Sequence, residues 1–188
     1  MQNTVHIPKF LREIHGQKSN WFDIVSVHLM ALVTVGVVLF LSQDMAFGSL
    51  KKWTLIALAY DLGGGVLANF TYSTQTYYEQ YTQRRFFLLS MHFLHPIFLA
   101  ILFPDLLIGI VAFSCFTVAS SFVVNSIKAS REQLTLGVAL SLLGIIMLHT
   151  LPVGFNSALR LLLTLFLLKL PLSFSVRWYR LALNKNSN

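Results

Sequence analysis

Apolar residues run along this chain in long unbroken blocks, and polar residues are confined mainly to short gaps between them. A helix needs roughly 20 apolar residues to cross a bilayer core of about 30 Å. Six stretches meet or approach that length: 22–42, 53–71, 86–104, 106–126, 134–151 and 157–175. Such runs far exceed the roughly 10 alternating residues of a membrane β-barrel strand. The pattern predicts an all-α integral membrane protein, a six-transmembrane-helix bundle over residues 21–176. Ahead of it, "HIPKFLREIHG" places Ile7, Phe10, Leu11 and Ile14 at helical spacing, with Lys9, Arg12 and Glu13 elsewhere on the wheel. Pro8 suits a first helical position. Residues 1–20 therefore predict a short amphipathic helix lying on the membrane surface. Residues 177–188 read as a short tail anchored by Trp178, Tyr179 and two arginines.

The connections are short. Pro104-Asp105 makes a tight corner, which requires the third and fourth spans to be antiparallel neighbours. The longest polar connection, "TYSTQTYYEQYTQRR" over 71–85, reads as a loop. Its Tyr72, Tyr77, Tyr78 and Tyr81 suit the headgroup region; the alternative is a lid over a pocket. No internal repeat or low-complexity tract is evident.

Composition strengthens this picture. Only 11% of residues are charged, well below the quarter usual in soluble chains. The net charge of +7 belongs to topology rather than to nucleic acid, which is not an expected partner. With the N-terminus inside, Lys9, Arg12, Lys18, Arg84, Arg85, Lys128, Arg131, Arg177, Arg180 and Lys185 face the cytoplasm, against Lys51, Lys52 and Arg160 opposite. The positive-inside rule then places both termini in the cytoplasm. Without a cleavable signal peptide, the expectation is a multi-pass protein of a bacterial inner membrane. The single cysteine, Cys115, reads as a packing residue, and no CxxC motif exists.

The candidate chemistry lies in "AYDLGGGVLANFTY", residues 59–72. At 100° per residue, Thr54, Ala57, Gly64, Gly65, Ala68 and Tyr72 fall within about 60° of Asp61, with bulky residues on the other side. Small faces let helices approach closely in lipid. Gly63 points elsewhere, which leaves a hinge as the alternative reading. A charge at mid-bilayer costs about 3 kcal/mol on insertion scales, so Asp61 should find an interior partner. The next span offers "SMHFLHPIF", with His92 and His95 on one face, and Pro96 cannot donate to the His92 carbonyl. Counted from the cytoplasmic ends, Asp61 and His95 lie at matching depth, as do Asn69 and His92. His28, Asn125 (the end of a Ser114, Thr117, Ser121 stripe) and Lys169 reach a similar level, whereas His6, His15 and His149 do not belong to the group. Asn69-Phe-Thr71 resembles a glycosylation sequon, but it falls at the cytoplasmic membrane boundary, so no glycan is expected.

These residues suit a membrane-embedded enzyme acting on a lipidic or isoprenoid substrate by acid–base or metal-assisted chemistry. Asp61, His92 and His95 would be catalytic; Asn69, Tyr72, Gly64, Gly65, Asn125 and Lys169 would bind substrate. His28, His92, His95 and Asp61 supply nitrogen and oxygen donors that suit a divalent metal. Haem, held by His28 and His92, is the alternative cofactor. No HExxH, nucleophile elbow or dinucleotide fingerprint is present. The competing readings are a small proton-coupled transporter, working as a homodimer, and an assembly protein whose polar groups only fix packing. Membrane lipid and a small-molecule or lipidic substrate are the expected partners.

Overall fold

In the computed structural model, which describes residues 4–128, 130–150 and 154–178, the chain is mainly helical. Five helical stretches are long and apolar enough to cross a membrane: Trp21–Leu41, Gln83–Leu102, Pro104–Ser126, Arg131–Thr150 and Ser157–Phe174. The expected second span is a helix of 20 residues, Ser49–Ala68, but Lys51, Lys52, Asp61 and three glycines make it less apolar than the others. Most of the expected tail lies outside the described residues.

The first twenty residues do not form one amphipathic helix. Strand β1 (Thr4–His6) pairs antiparallel with β2 (Lys18–Asn20), and between them lie a 3-10 turn (Lys9–Leu11) and a single helical turn, α1 (Arg12–His15). The cause is a pairing across the segment that helical spacing does not encode: the Ile7 N–H donates to the Gln17 carbonyl. Gly16 then stops α1 with φ of 70°, a conformation that favours glycine. A Cβ there would also lie 2.2 Å from the Ser73 carbonyl oxygen. The segment is thereby docked on the bundle, where the Thr74 hydroxyl donates to the Ile14 carbonyl (2.6 Å) and the Tyr78 hydroxyl to the Glu13 carbonyl (3.0 Å).

The polar stretch after the second helix is not a loop either. Thr71 caps a helix, α4 (Tyr72–Gln80), and α5 (Thr82–Met91) follows almost directly. Tyr77 and Tyr78 are buried, while Tyr72 and Tyr81 remain exposed. Burial, with Glu13 nearby, pushes the Tyr78 phenol above its ordinary range.

Helices α2 (Trp21–Leu41) and α3 (Ser49–Ala68) pack against each other. A Cβ on Gly63 would lie 2.1 Å from the Thr34 Oγ1, and one on Gly64 would lie 3.1 Å from the Ala31 Cβ. Close approach of small residues is what drives helix association in lipid. Helix α3 runs unbroken through the three glycines, so packing rather than a hinge accounts for Gly63.

The Pro96 region behaves as its chemistry requires. The third span divides into α5 and α6 (Leu94–Leu102) at His92-Phe93, and the freed His92 carbonyl accepts from the His95 N–H at 3.2 Å. A 3-10 turn, Pro104–Leu106, leads into α7 (Leu107–Ser126), which packs on α6, and α8 (Ser130–Thr150) follows. The last span is the centre of the molecule. In α9 (Ser157–Leu167) Leu159, Leu162, Leu163, Phe166 and Leu167 are all buried. Pro171 then widens the chain into a π-helical segment, Leu168–Phe174, a distortion common at functional sites.

Candidate functional site

Asp61 of α3, His95 of α6 and Lys169 of the π-helical segment meet at one carboxylate oxygen. The Lys169 Nζ and the His95 Nε2 each lie 2.6 Å from the Asp61 Oδ2. The Nζ also reaches the Asp61 carbonyl at 3.3 Å. Gly65, one turn beyond Asp61 on the same face, makes this possible: a Cβ there would lie 2.5 Å from the Lys169 Cε. Lys169 therefore reaches inward to an ion pair rather than snorkelling to the interface. Its side chain is 7% exposed and that of Asp61 50% exposed, so the carboxylate forms part of an open wall.

The histidines are arranged in a stack. The His92 and His95 rings lie 5.0 Å apart and nearly parallel, and the Phe166 ring also stacks on His95 at 5.4 Å. The His92 Nδ1 lies 2.6 Å from the Leu88 carbonyl. A carbonyl only accepts, so Nδ1 carries the proton and Nε2 holds the lone pair in the neutral ring. Asn69 donates through Nδ2 to the Lys169 carbonyl and to the Ser173 hydroxyl, both at 3.4 Å.

These groups border a cavity of about 530 Å³. Its apolar wall includes Ala57, Leu58, Met91, Leu94 and Phe98, and its polar groups are Asp61, Asn69, His92, His95, Lys169, Thr54 and Glu13. Ala57, Asp61, Met91, Leu94 and Phe98 are exposed, so the cavity opens on the flank of the bundle between α3 and α5–α6. Mostly apolar walls with a few convergent polar groups are the usual composition of a ligand site. Glu13 and Ile14 enter from the docked N-terminal segment. Nothing in "FLREIHG" signals this, because the docking depends on contacts with residues far along the chain.

Several expected members lie elsewhere. Gly64 faces α2, and Tyr72 is exposed outside the cavity. The Asn125 Oδ1 accepts from the Arg85 Nε at 3.0 Å, in a buried contact apart from the cavity. His28 belongs to a second cluster, where its Nε2 meets that of His15 at 3.3 Å and its Nδ1 meets the Tyr60 hydroxyl at 2.5 Å. The set His28, His92, His95 and Asp61 is accordingly not gathered, and the Lys169 ammonium occupies the Oδ2 of Asp61. Among the described residues no three His, Cys, Asp or Glu side chains come together as a metal site. Nor does His28, engaged on both nitrogens, fit the bis-histidine haem arrangement.

His15, expected to stand apart at the membrane surface, is 2% exposed. Burial, and secondarily the His28 ring, hold its pKa below the ordinary imidazole value of 6.5. Below that value an undocked N-terminal segment takes up a proton that the docked one resists, so docking weakens as the pH falls and is constant above it. Hydrogen exchange of residues 7–17, corrected for intrinsic rates, is expected to rise between pH 7 and pH 5 in the wild type. His15→Gln should flatten that rise, and an equal rise in both proteins would refute it.

Comparison with protein-family models, with curated proteins and with solved structures finds no match for this chain.

Proposed function

We propose that this protein is a membrane-embedded enzyme that admits a lipidic or isoprenoid amphiphile sideways from the bilayer and performs acid–base chemistry on it. The observation that carries this reading is a flank-opening apolar cleft whose wall bears Asp61, His95, Lys169 and His92 together. A protein needing polar groups only for packing has no use for a cavity beside them. In the proposed setting the chain crosses a bacterial inner membrane six times, with both termini in the cytoplasm. Helix α3 then serves as the second span because its charges face the cleft or the interface. The exposed Leu94 and Phe98 would lie against acyl chains, and the polar groups would meet the substrate's head.

The chemistry follows from hydrogen-bond roles. The Leu88 carbonyl holds His92 in the tautomer whose Nε2 accepts, which makes it the base for a proton on a substrate heteroatom. Lys169 and Asp61, with His95, form a fixed charge array beside it. In a site of low dielectric such an array stabilises charge as it develops. A second reading has one observation in its favour. Lys169 and His95 share a single oxygen of Asp61, so protonating that carboxylate would release both, as proton-coupled transport by a homodimer would use.

The test is to reconstitute the protein in vesicles of isotopically labelled membrane lipid extract and follow the lipids by mass spectrometry. Wild type should convert one species. Asp61→Asn, His92→Ala and His95→Ala should each lower conversion by about 100-fold or more while still inserting and purifying. Three well-folded variants with unchanged conversion would sink the proposal. Movement of a labelled solute without conversion would favour the transporter.

A further inference from the structure

The hydrogen-bonding inventory of the cleft narrows its ligand, an argument that rests on the cleft being the substrate site. Of the three N–H groups on Lys169, two are directed to the Asp61 carbonyl and Oδ2. One remains. The Thr54 hydroxyl donates to the Leu50 carbonyl, and both Asn69 Nδ2 contacts are to groups within the protein. Acceptors are more plentiful. The Asn69 amide orientation is set by the Lys169 carbonyl, which leaves the Asn69 Oδ1 as an acceptor without a donor among the described residues. The His92 Nε2 carries a lone pair because the Nδ1 proton points to Leu88. The Asp61 Oδ1 receives no hydrogen bond among the described residues, since both of its partners, the Lys169 ammonium and the His95 Nε2–H, are on Oδ2. Glu13, at the rim, has no ion pair among them either.

With the His95 Nε2 proton taken by Asp61, the described residues of the cleft thus present several acceptors to one spare donor, and two carboxylates to one ammonium. An acceptor left without a donor in a desolvated site costs about 1–3 kcal/mol. A phosphate or diphosphate head brings more acceptors and more negative charge to such a surface. A head carrying N–H or O–H groups satisfies it.

We infer that the ligand of this cleft is a long-chain amphiphile with a hydrogen-bond-donating head, an amine or a primary alcohol, and that Glu13 recognises the cationic form. The acyl or isoprenoid chain lies toward Thr54, Leu94 and Phe98. The head lies toward Asn69, His92 and Glu13, the half of the cleft that the N-terminal segment borders.

The experiment offers the detergent-solubilised full chain an equimolar mixture of hexadecylamine, hexadecanol and hexadecyl phosphate, with the retained species read by native mass spectrometry. Amine and alcohol should each be retained about tenfold or more over the phosphate, the ratio expected for a single charge-assisted hydrogen bond. Glu13→Gln, at an exposed position, should lower retention of the amine several-fold and leave the alcohol unchanged. Phosphate retained as well as the donors would overturn the inference while leaving an amphiphile cleft in place. Unchanged amine retention in Glu13→Gln would overturn the assignment of Glu13. No amphiphile retained by the wild type would overturn the inference and the proposed function together.

Discussion

Lys169→Met should destabilise the protein by about 2 kcal/mol and abolish conversion, and adding Asp61→Asn should restore the stability but not the conversion. Removing one partner of a buried ion pair typically costs about 3–5 kcal/mol, because the other charge is stranded. The figure is reduced here because the Asp61 side chain is half exposed to the cleft while Lys169 is almost wholly enclosed. Neutralising both groups removes the stranded charge, and replacing a buried pair by groups of similar shape is often neutral. Conversion would not return, since the charge array beside His92 would be gone. Stability is read from the fraction folded against sodium dodecyl sulfate, with conversion measured in vesicles. A single variant as stable as the wild type, or a double variant less stable than the single, would contradict the ion pair's assigned role.

The adjacent arginines should separate by several-fold in effect. Arg85→Ala is expected to cost about 3 kcal/mol, and Arg84→Ala no more than about 1 kcal/mol. Arg85 is 1% exposed. It donates to the Asn125 Oδ1 at 3.0 Å and to the Phe174 carbonyl, and its guanidinium lies 5.1 Å from the Phe174 ring centroid. Truncation strands two buried acceptors at the end of the π-helical segment that positions Lys169. Arg84 is exposed; it donates to the Tyr77 hydroxyl and covers the Tyr81 ring at 5.2 Å. Detergent titrations of the two variants side by side measure the difference. Equal effects would show that Arg85 is not a structural bolt between α5, α7 and the last span.

These two arginines also mark how far a sequence reading reaches. Locally they are the same residue in the same polar stretch, and a charge count assigns both to the cytoplasmic surface. Which one is buried depends on where Asn125 and Phe174 arrive. By contrast, the shared level of Asp61 and His95 is legible from helical rise, because a fixed 1.5 Å per residue brings groups at equal depth to the same height, and their spans are consecutive in the chain. The break at His92-Phe93 is legible for a similar reason, since Pro96 lacks an N–H whatever surrounds it.

What is not legible depends on lateral packing or on pairing across sequence. Depth counting also brings His28 and Asn125 near the level of His92, but it does not say on which side of the bundle each helix presents them. The pairing of Thr4–His6 with Lys18–Asn20 overrides the helical spacing of Ile7, Phe10 and Ile14, and so carries Glu13 to the cleft rim. Gly63 illustrates the same limit. The wheel turns it away from Asp61, and only the position of Thr34 shows what it accommodates.

The most direct test of the central claim, that the cleft takes up an amphiphile from the bilayer, is the lipid retained by the purified protein. Native mass spectrometry would compare the wild type with Ala57→Trp, which fills the cleft, and Leu32→Trp, which adds the same ring at an exposed position on α2. Roughly one retained amphiphile per chain is expected in the wild type and in Leu32→Trp, and none in Ala57→Trp. A wild type that carries none, or an Ala57→Trp variant that retains as much as the wild type, would contradict that claim.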